Sequence, residues 1–371
     1  MTVSSLNNYS FAFNNYVFGG TSSVHQILSL EGLESLPGIR NQDDNRGYSD
    51  GMFTGNDFLA GRTIVLTIQT LGGIALIPIA GATATGTGTI TYTTSSTHFL
   101  TSGTTVSITG VISTGNPSGT AGSGFNQTSK VIIVTSSTTF TIPVTLTDTY
   151  TSGGSVNVTQ SAQANFNLLQ NALLPQTSGT TPLQFKLSNA GSLQRVNARV
   201  RANMTLVDPD YTYGYIKSQF NFFAADPRYY DDTLQTGTLN VTSSLGRTYN
   251  RIYPLTYGGG SGAITTTVTN AGWATTYPII TINGPIYNPT IGSLTQGTSI
   301  TVNGSFSNAD QIIINLDTKL VTVNGATARN LVTGNSNWFS ALPGDNLYYL
   351  TGTGTLAGTT TASVTWRNAY I

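Results

Sequence analysis

Acid–base catalysis by carboxylates needs two of them in one cleft with their pKa values held apart, and glycoside hydrolysis uses such a pair. The chain has three close pairs: Asp208 and Asp210 around Pro209, Asp43 and Asp44 in a stretch rich in Gly and Asn, and Asp231 and Asp232 after Tyr230. All three have the composition of turns, where Asp side chains bond to nearby backbone. The two histidines, His25 and His98, fall in different predicted domains, and neither adjoins a Ser or Cys motif that would make it a general base. Residues 43–51 superficially resemble a calcium loop. The EF-hand order, with ligands at positions 1, 3 and 5, Gly at 6 and Glu at 12, is not met. The glycine run at 258–262 is not followed by a helical pattern, so it reads as a flexible loop rather than a phosphate cradle. No catalytic residue, metal or cofactor is assigned.

What remains is binding and assembly. Residues 194–204 alternate cleanly, with Val196, Ala198, Val200 and Ala202 on one face and Arg195, Asn197, Arg199 and Arg201 on the other. Three arginines in a row, in a chain with eleven, fit either a solvated sheet face or a subunit interface, where Arg is over-represented. Arg40, Arg46 and Arg62, in and beside a loop at 40–62, are the other candidate interface cations. Tyr92, Phe99, Phe125 and Phe140 stand among short polar side chains and could stack on sugars. The competing reading makes them the core of a small module with few other large apolar residues, and it weighs more.

The elements that must position these residues are strands. Only 8% of the 371 residues are charged, against about a quarter in ordinary soluble proteins, and Gly, Thr, Ser and Asn take their place. Thr, Val, Ile and Tyr favour strands, Gly and Asn supply turns, and Glu occurs only at positions 31 and 34. Fifteen basic and fifteen acidic side chains cancel, so nothing drives nucleic-acid or anionic-membrane binding, and neither is expected as a partner. Without cysteine, stability must come from packing, sheet pairing or association. Residues 1–10 lack the basic start and apolar core of a secretory signal. The longest apolar run, 74–80, is far shorter than the roughly 20 residues that span a bilayer. A soluble protein made in the cytoplasm is expected.

Composition changes sharply at about 83–160, where Lys130 and Asp148 are the only charged residues. This stretch predicts a separate small sandwich or barrel with strands at 89–93, 105–112, 130–134, 138–143 and 155–159. The flanks, 1–82 and 161–222, read as two halves of one domain. In them 62–69 alternates into a strand with Ile64, Leu66 and Ile68 on one face. Residues 162–174 predict the one short helix, with Ser161 as N-cap, Phe166, Leu169 and Leu173 on its apolar face, and Pro175 ending it. Texture changes again near Asp226-Pro227-Arg228. The remainder, 223–371, predicts a second sandwich with strands at 279–282, 299–302, 311–317, 319–323, 346–351 and 362–366, and a tight hairpin turn at Asp317-Thr318.

Several stretches resemble one family. They are 29–33 with 36–40, then Asp50-Gly51-Met52-Phe53 and residues 57–64; Phe223-Ala224-Ala225-Asp226-Pro227-Arg228-Tyr229-Tyr230; and Asn337-Trp338 with 342–346 and Val364-Thr365-Trp366-Arg367. In order and spacing they are similar to siphophage distal tail proteins over all but the inserted stretch. The resemblance implies an all-β chain: an N-terminal belt β-sandwich, here carrying the small inserted β module, and a C-terminal galectin-like β-sandwich. It implies a non-enzymatic subunit of a homohexameric ring at the virion tail tip, assembled in the host cytoplasm. Such a ring joins the tail tube protein to the hub, or tail-associated protein, and can carry receptor-binding proteins. The alternative is an adhesin that grips host cell-wall glycan through the insert or the galectin-like domain.

Overall fold

The computed structural model describes residues 3, 5–20, 24–46, 48, 50, 52–86, 88–187, 191–242, 264–352 and 359–371. The glycine run at 258–262 lies outside the described residues, as do positions 47, 49 and 51 of the calcium-like loop. The chain divides into two compact units, Met1–Pro227 and Arg228–Ile371.

Strong alternation builds the first unit. Arg62–Thr70 buries Arg62, Ile64, Leu66, Ile68 and Thr70, and its antiparallel partner Ile216–Ala224 buries Phe220, Phe222 and Ala224. The sheet runs in the order Tyr16–Gly19, Ser10–Phe13, Thr181–Lys186, Gln194–Leu206, Ile216–Ala224, Arg62–Thr70, His25–Glu31. It curls on itself. Phe13 meets Phe222, on a strand that is not its neighbour, edge-on with ring centroids 5.4 Å apart. On the two ends of the order, the Tyr16 hydroxyl lies 2.7 Å from His25 Nε2, while His25 Nδ1 lies 3.0 Å from Thr70 Oγ1. A neutral imidazole can donate through one nitrogen and accept through the other, and burial pushes His25 down to about 3.

The helix Ala162–Ala172 covers the central strands. Ser161 accepts from Ala164 N at 3.3 Å as N-cap, and Phe166, Leu168, Leu169 and Leu173 are buried.

Between the halves of this sheet lies a barrel. Its strands follow the order Lys130–Val131, Thr105–Ser113, Tyr150–Gln160, Gly73–Ala84, Ile90–Thr94, Thr139–Ile142, Ile133–Val134. The first and last members are one segment interrupted at Ile132, which is buried and whose N–H donates to Thr104 O at 3.0 Å, so the order closes on itself. Gly73–Ala84, which contains the apolar run 74–80, pairs with Tyr150–Gln160 along its first half and with Ile90–Thr94 along its second. The composition shift at residue 83 thus falls inside a barrel strand.

The second unit is a β-sandwich. One sheet runs Gln235–Thr242, Thr359–Trp366, Ile279–Asn283, Gln311–Asn315, Leu320–Val323, Ala326–Thr327, and the other Ile264–Asn270, Gly344–Thr351, Thr290–Ser293, Thr298–Thr301. Ile280, Ile282, Ile312, Ile314 and Val364 from the first pack with Val268, Ile291, Ile300, Tyr348 and Leu350 from the second. Each side chain of that size contributes roughly 1.5–3 kcal/mol when fully buried. The hairpin near Asp317 is wider than a two-residue turn. Pairing stops at Asn315 and resumes at Leu320, because the Asn315 side chain accepts from Asp317 N and Thr318 N and Lys319 adopts φ +52°.

Candidate assembly surfaces

Between Glu31 and Arg62 the chain leaves the sheet and returns as a hairpin arm. Two short ribbons make it: Ile39–Arg40 with Phe58–Leu59, and Asp44–Asn45 with Met52–Phe53. The root is built from backbone carbonyls and one guanidinium. Arg62 Nε donates to Pro227 O at 2.9 Å, and Nη1 donates to Gly32 O at 2.9 Å, to Ser35 O at 2.8 Å and to Leu33 O. Gly32 takes φ +80° there, and a Cβ would lie 1.9 Å from Thr63 O. Further out, Gly55 N donates to Asp43 Oδ1 at 2.9 Å, and a Cβ on Gly55 would lie 2.1 Å from Gln42 O. Arg62 was expected at an interface, but it is only 2% exposed and is spent within its own chain.

Beyond its root the arm has no core of its own among the described residues. Leu36 is 82% exposed, and Ile39, Met52, Phe53, Phe58 and Leu59 also face solvent. Arg40 lies over the Phe58 ring at 5.6 Å and Arg46 over Phe53 at 5.1 Å, so both expected cations sit on this surface beside aromatics. An isolated two-stranded ribbon is marginally stable, and contiguous exposed apolar surface marks a contact site. The exposed apolar residues of the arm were missed in the sequence because paired segments of two residues leave no alternation to read.

The arginine row differs from its expectation. A bulge between Val200 and Ala202 shifts the register, so Ala202 is exposed while Val196, Ala198 and Val200 stay buried. Arg201 consequently lies over the Phe223 ring at 3.7 Å. Arg195 and Arg199 are half-buried.

Gln194–Leu206 and Ile216–Ala224 are joined by a 3-10 turn, Pro209–Tyr213. Asp208 caps it, accepting from Asp210 N at 3.1 Å, and Lys217 Nζ donates to Asp208 at 2.7 Å and to Asp210 at 2.6 Å. The Lys217 hydrogen bond holds Asp208 below the usual carboxylate range, and a shared ammonium is no setting for a protonated general acid. Around the turn Met204, Leu206, Val207, Tyr211, Tyr213 and Tyr215 are exposed. The alternating tyrosines at 211, 213 and 215 were the signal available in the sequence.

The other candidates serve the fold. Asp231 Oδ2 accepts from Asn368 Nδ2 at 2.9 Å and from the Tyr370 hydroxyl at 3.2 Å. His98 Nδ1 accepts from Leu100 N at 2.9 Å. Among the described residues no three His, Asp or Glu side chains gather as metal ligands would. Tyr92, Phe125 and Phe140 fill the barrel: Tyr92 stacks on Phe140 at 5.4 Å, stands edge-on to Phe125 at 6.2 Å, and donates its hydroxyl to Phe125 O at 2.7 Å. All three are fully buried and therefore closed to a sugar, packed in a barrel core that also holds Ile77, Ile90, Ile108, Val111, Ile142 and Val156; Phe99 is the one of the four that is exposed.

Residues 271–370, within the second unit, match the family described as siphovirus-type tail component, C-terminal domain. No curated protein matches. Among solved structures, the chain is similar to the SPP1 Dit (gp 19.1) protein, described as a paradigm of the hub adsorption apparatus in phages infecting Gram-positive bacteria. That likeness has 12% identity and a TM-score of 0.49, covering 98% of this chain and 99% of that one. It is also similar to a chain of the phage P2 baseplate in its activated conformation, at 9% identity and a TM-score of 0.41, with 96% of each covered.

Proposed function

We propose, from the match of residues 271–370 to the C-terminal domain of siphovirus-type tail components, that this chain is a siphophage distal tail protein that builds the tail tip as a ring-forming structural subunit. Ring assembly rests on one observation in the first unit, an apolar hairpin arm held at its root whose apolar side chains are exposed among the described residues. The arm presents Leu36, Ile39, Met52, Phe53, Phe58 and Leu59, the side-chain types that anchor protein interfaces, with Arg40 and Arg46 beside them. A chain without disulfides and with few charges suits a subunit stabilised by its neighbours. The ring is a homohexamer, with the tail tube protein on one side, the hub protein on the other and receptor-binding proteins at its periphery. The role is mechanical and non-enzymatic.

Negative-stain electron microscopy of the purified full chain tests this reading. Closed rings of six copies are expected. A field of single particles at every concentration, with and without the tube and hub proteins, would remove the ring and leave only the family membership.

A further inference from the structure

We infer that the arm of one copy docks on the tyrosine-bearing turn of the next, at residues 204–215; this inference rests on the ring reading above. Two exposed apolar features stand at opposite ends of one sheet. The arm leaves at Glu31 and returns at Arg62, where Arg62 pairs with Ala224; the turn lies where Thr70 pairs with Ile216 and Leu206 with Lys217. Nine paired residues, or roughly 27 Å of strand, separate them. An arm that met only its counterpart arm would produce a two-fold dimer and stop. A ring needs two different surfaces on each copy, facing in opposite directions, so that contacts repeat head to tail until they close.

The chemistry of the two surfaces is complementary. The arm offers flat and branched apolar groups with Arg40 and Arg46; the turn offers Tyr211, Tyr213 and Tyr215, with Met204, Leu206 and Val207 beside them. Tyrosine rings accept arginine over their faces, and the cluster of Asp208, Asp210 and Lys217 leaves one net negative charge at the turn. The turn is also the rigid partner. Asp208 caps its start, and at its end Gly214 N donates to Tyr211 O and Tyr215 N to Asp210 O. A preorganised acceptor lowers the ordering cost for an arm that has no core of its own.

Two variants of the full chain test the contact, one with an altered arm (Phe53→Asp with Phe58→Asp) and one with an altered turn (Tyr211→Asp with Tyr213→Asp). Each is expected to associate with itself about 100-fold more weakly than the unaltered chain, as loss of interface anchors does. Mixed in equal amounts, they are expected to give a dimer containing one of each and nothing larger, because a single intact arm then meets a single intact turn. Native mass spectrometry with one variant isotopically labelled reads this directly. The chain has no cysteine, so Phe53→Cys and Tyr213→Cys provide a second reading in otherwise intact protein. Oxidation is expected to join the two variants to each other in a mixture, and neither to itself. Rings that form normally with the altered turn, or that yield no cross-link between positions 53 and 213, would overturn the contact while leaving the ring standing. An unaltered chain that stays monomeric would overturn both.

Discussion

Arg62 Nη1 donates to the carbonyl of Gly32 at 2.9 Å, across the neck of the arm. The same guanidinium holds the carbonyls of Leu33, Ser35 and Pro227, so one buried cation fixes where the arm departs from the sheet. Arg62→Met keeps the length of the side chain but strips these acceptors of their donor. The expected loss is about 3 kcal/mol or more, because carbonyls left buried without partners keep their desolvation cost. Urea unfolding measures it, and limited proteolysis should cut within residues 36–58 faster than in the unaltered chain.

His25 makes the first unit sensitive to acid. Its folded pKa is lowered by burial from 6.5 to about 3, so the folded state resists a proton that the unfolded chain accepts. The stability it supports is full above pH 6.5 and is lost as pH falls from 6.5 through 3, by roughly 5 kcal/mol over the whole window. Unfolding midpoints at pH 7 and pH 4 should differ strongly in the unaltered chain and less in His25→Gln.

Asp148 is the hub of a barrel loop. It accepts from the Ser113 and Thr114 hydroxyls, from Gly115 N at 2.6 Å and from Thr149 N at 2.9 Å, and these bonds, led by that from Ser113, lower its pKa to about 2. A depressed carboxylate supports folding above its unfolded value of 3.8, and that support goes as pH falls through 2. The group is only half-buried, so screening keeps the effect small. Asp148→Asn should cost roughly 1 kcal/mol at pH 7 and much less at pH 2, measured by thermal unfolding.

Tyr348 buries its hydroxyl in the second unit without a hydrogen-bond partner among the described residues, edge-on to Phe339 at 5.1 Å. Burial raises its pKa. An unpartnered buried hydroxyl costs about 1 kcal/mol or more, so Tyr348→Phe should raise the melting temperature of the full chain. A fall would show that the hydroxyl has a partner in solution.

These residues also show what could be read in advance. The alternation at 62–69 placed Ile64, Leu66 and Ile68 in a core, and Arg62 shares their parity; its charge suggested a surface, and only the carbonyls converging on it explain its burial. The capped helix at 162–172 was legible because cap, apolar face and terminating proline agree. The run 194–204 misled at its far end, since a bulge leaves no trace in the pattern of residue types. The barrel aromatics were ambiguous between core and sugar platform until the closure of the strand order settled which way they face. The arm was the least legible part, because its apolar residues lie in paired segments of two and so follow no internal period.

Ring assembly through the arm is tested most directly by the mass of the full chain in solution over a concentration series, beside the variant with Phe53→Asp and Phe58→Asp. The unaltered chain should form a six-subunit species and the variant should remain monomeric at the same concentrations. An unaltered chain that is monomeric throughout, or a variant that assembles as readily, would contradict it.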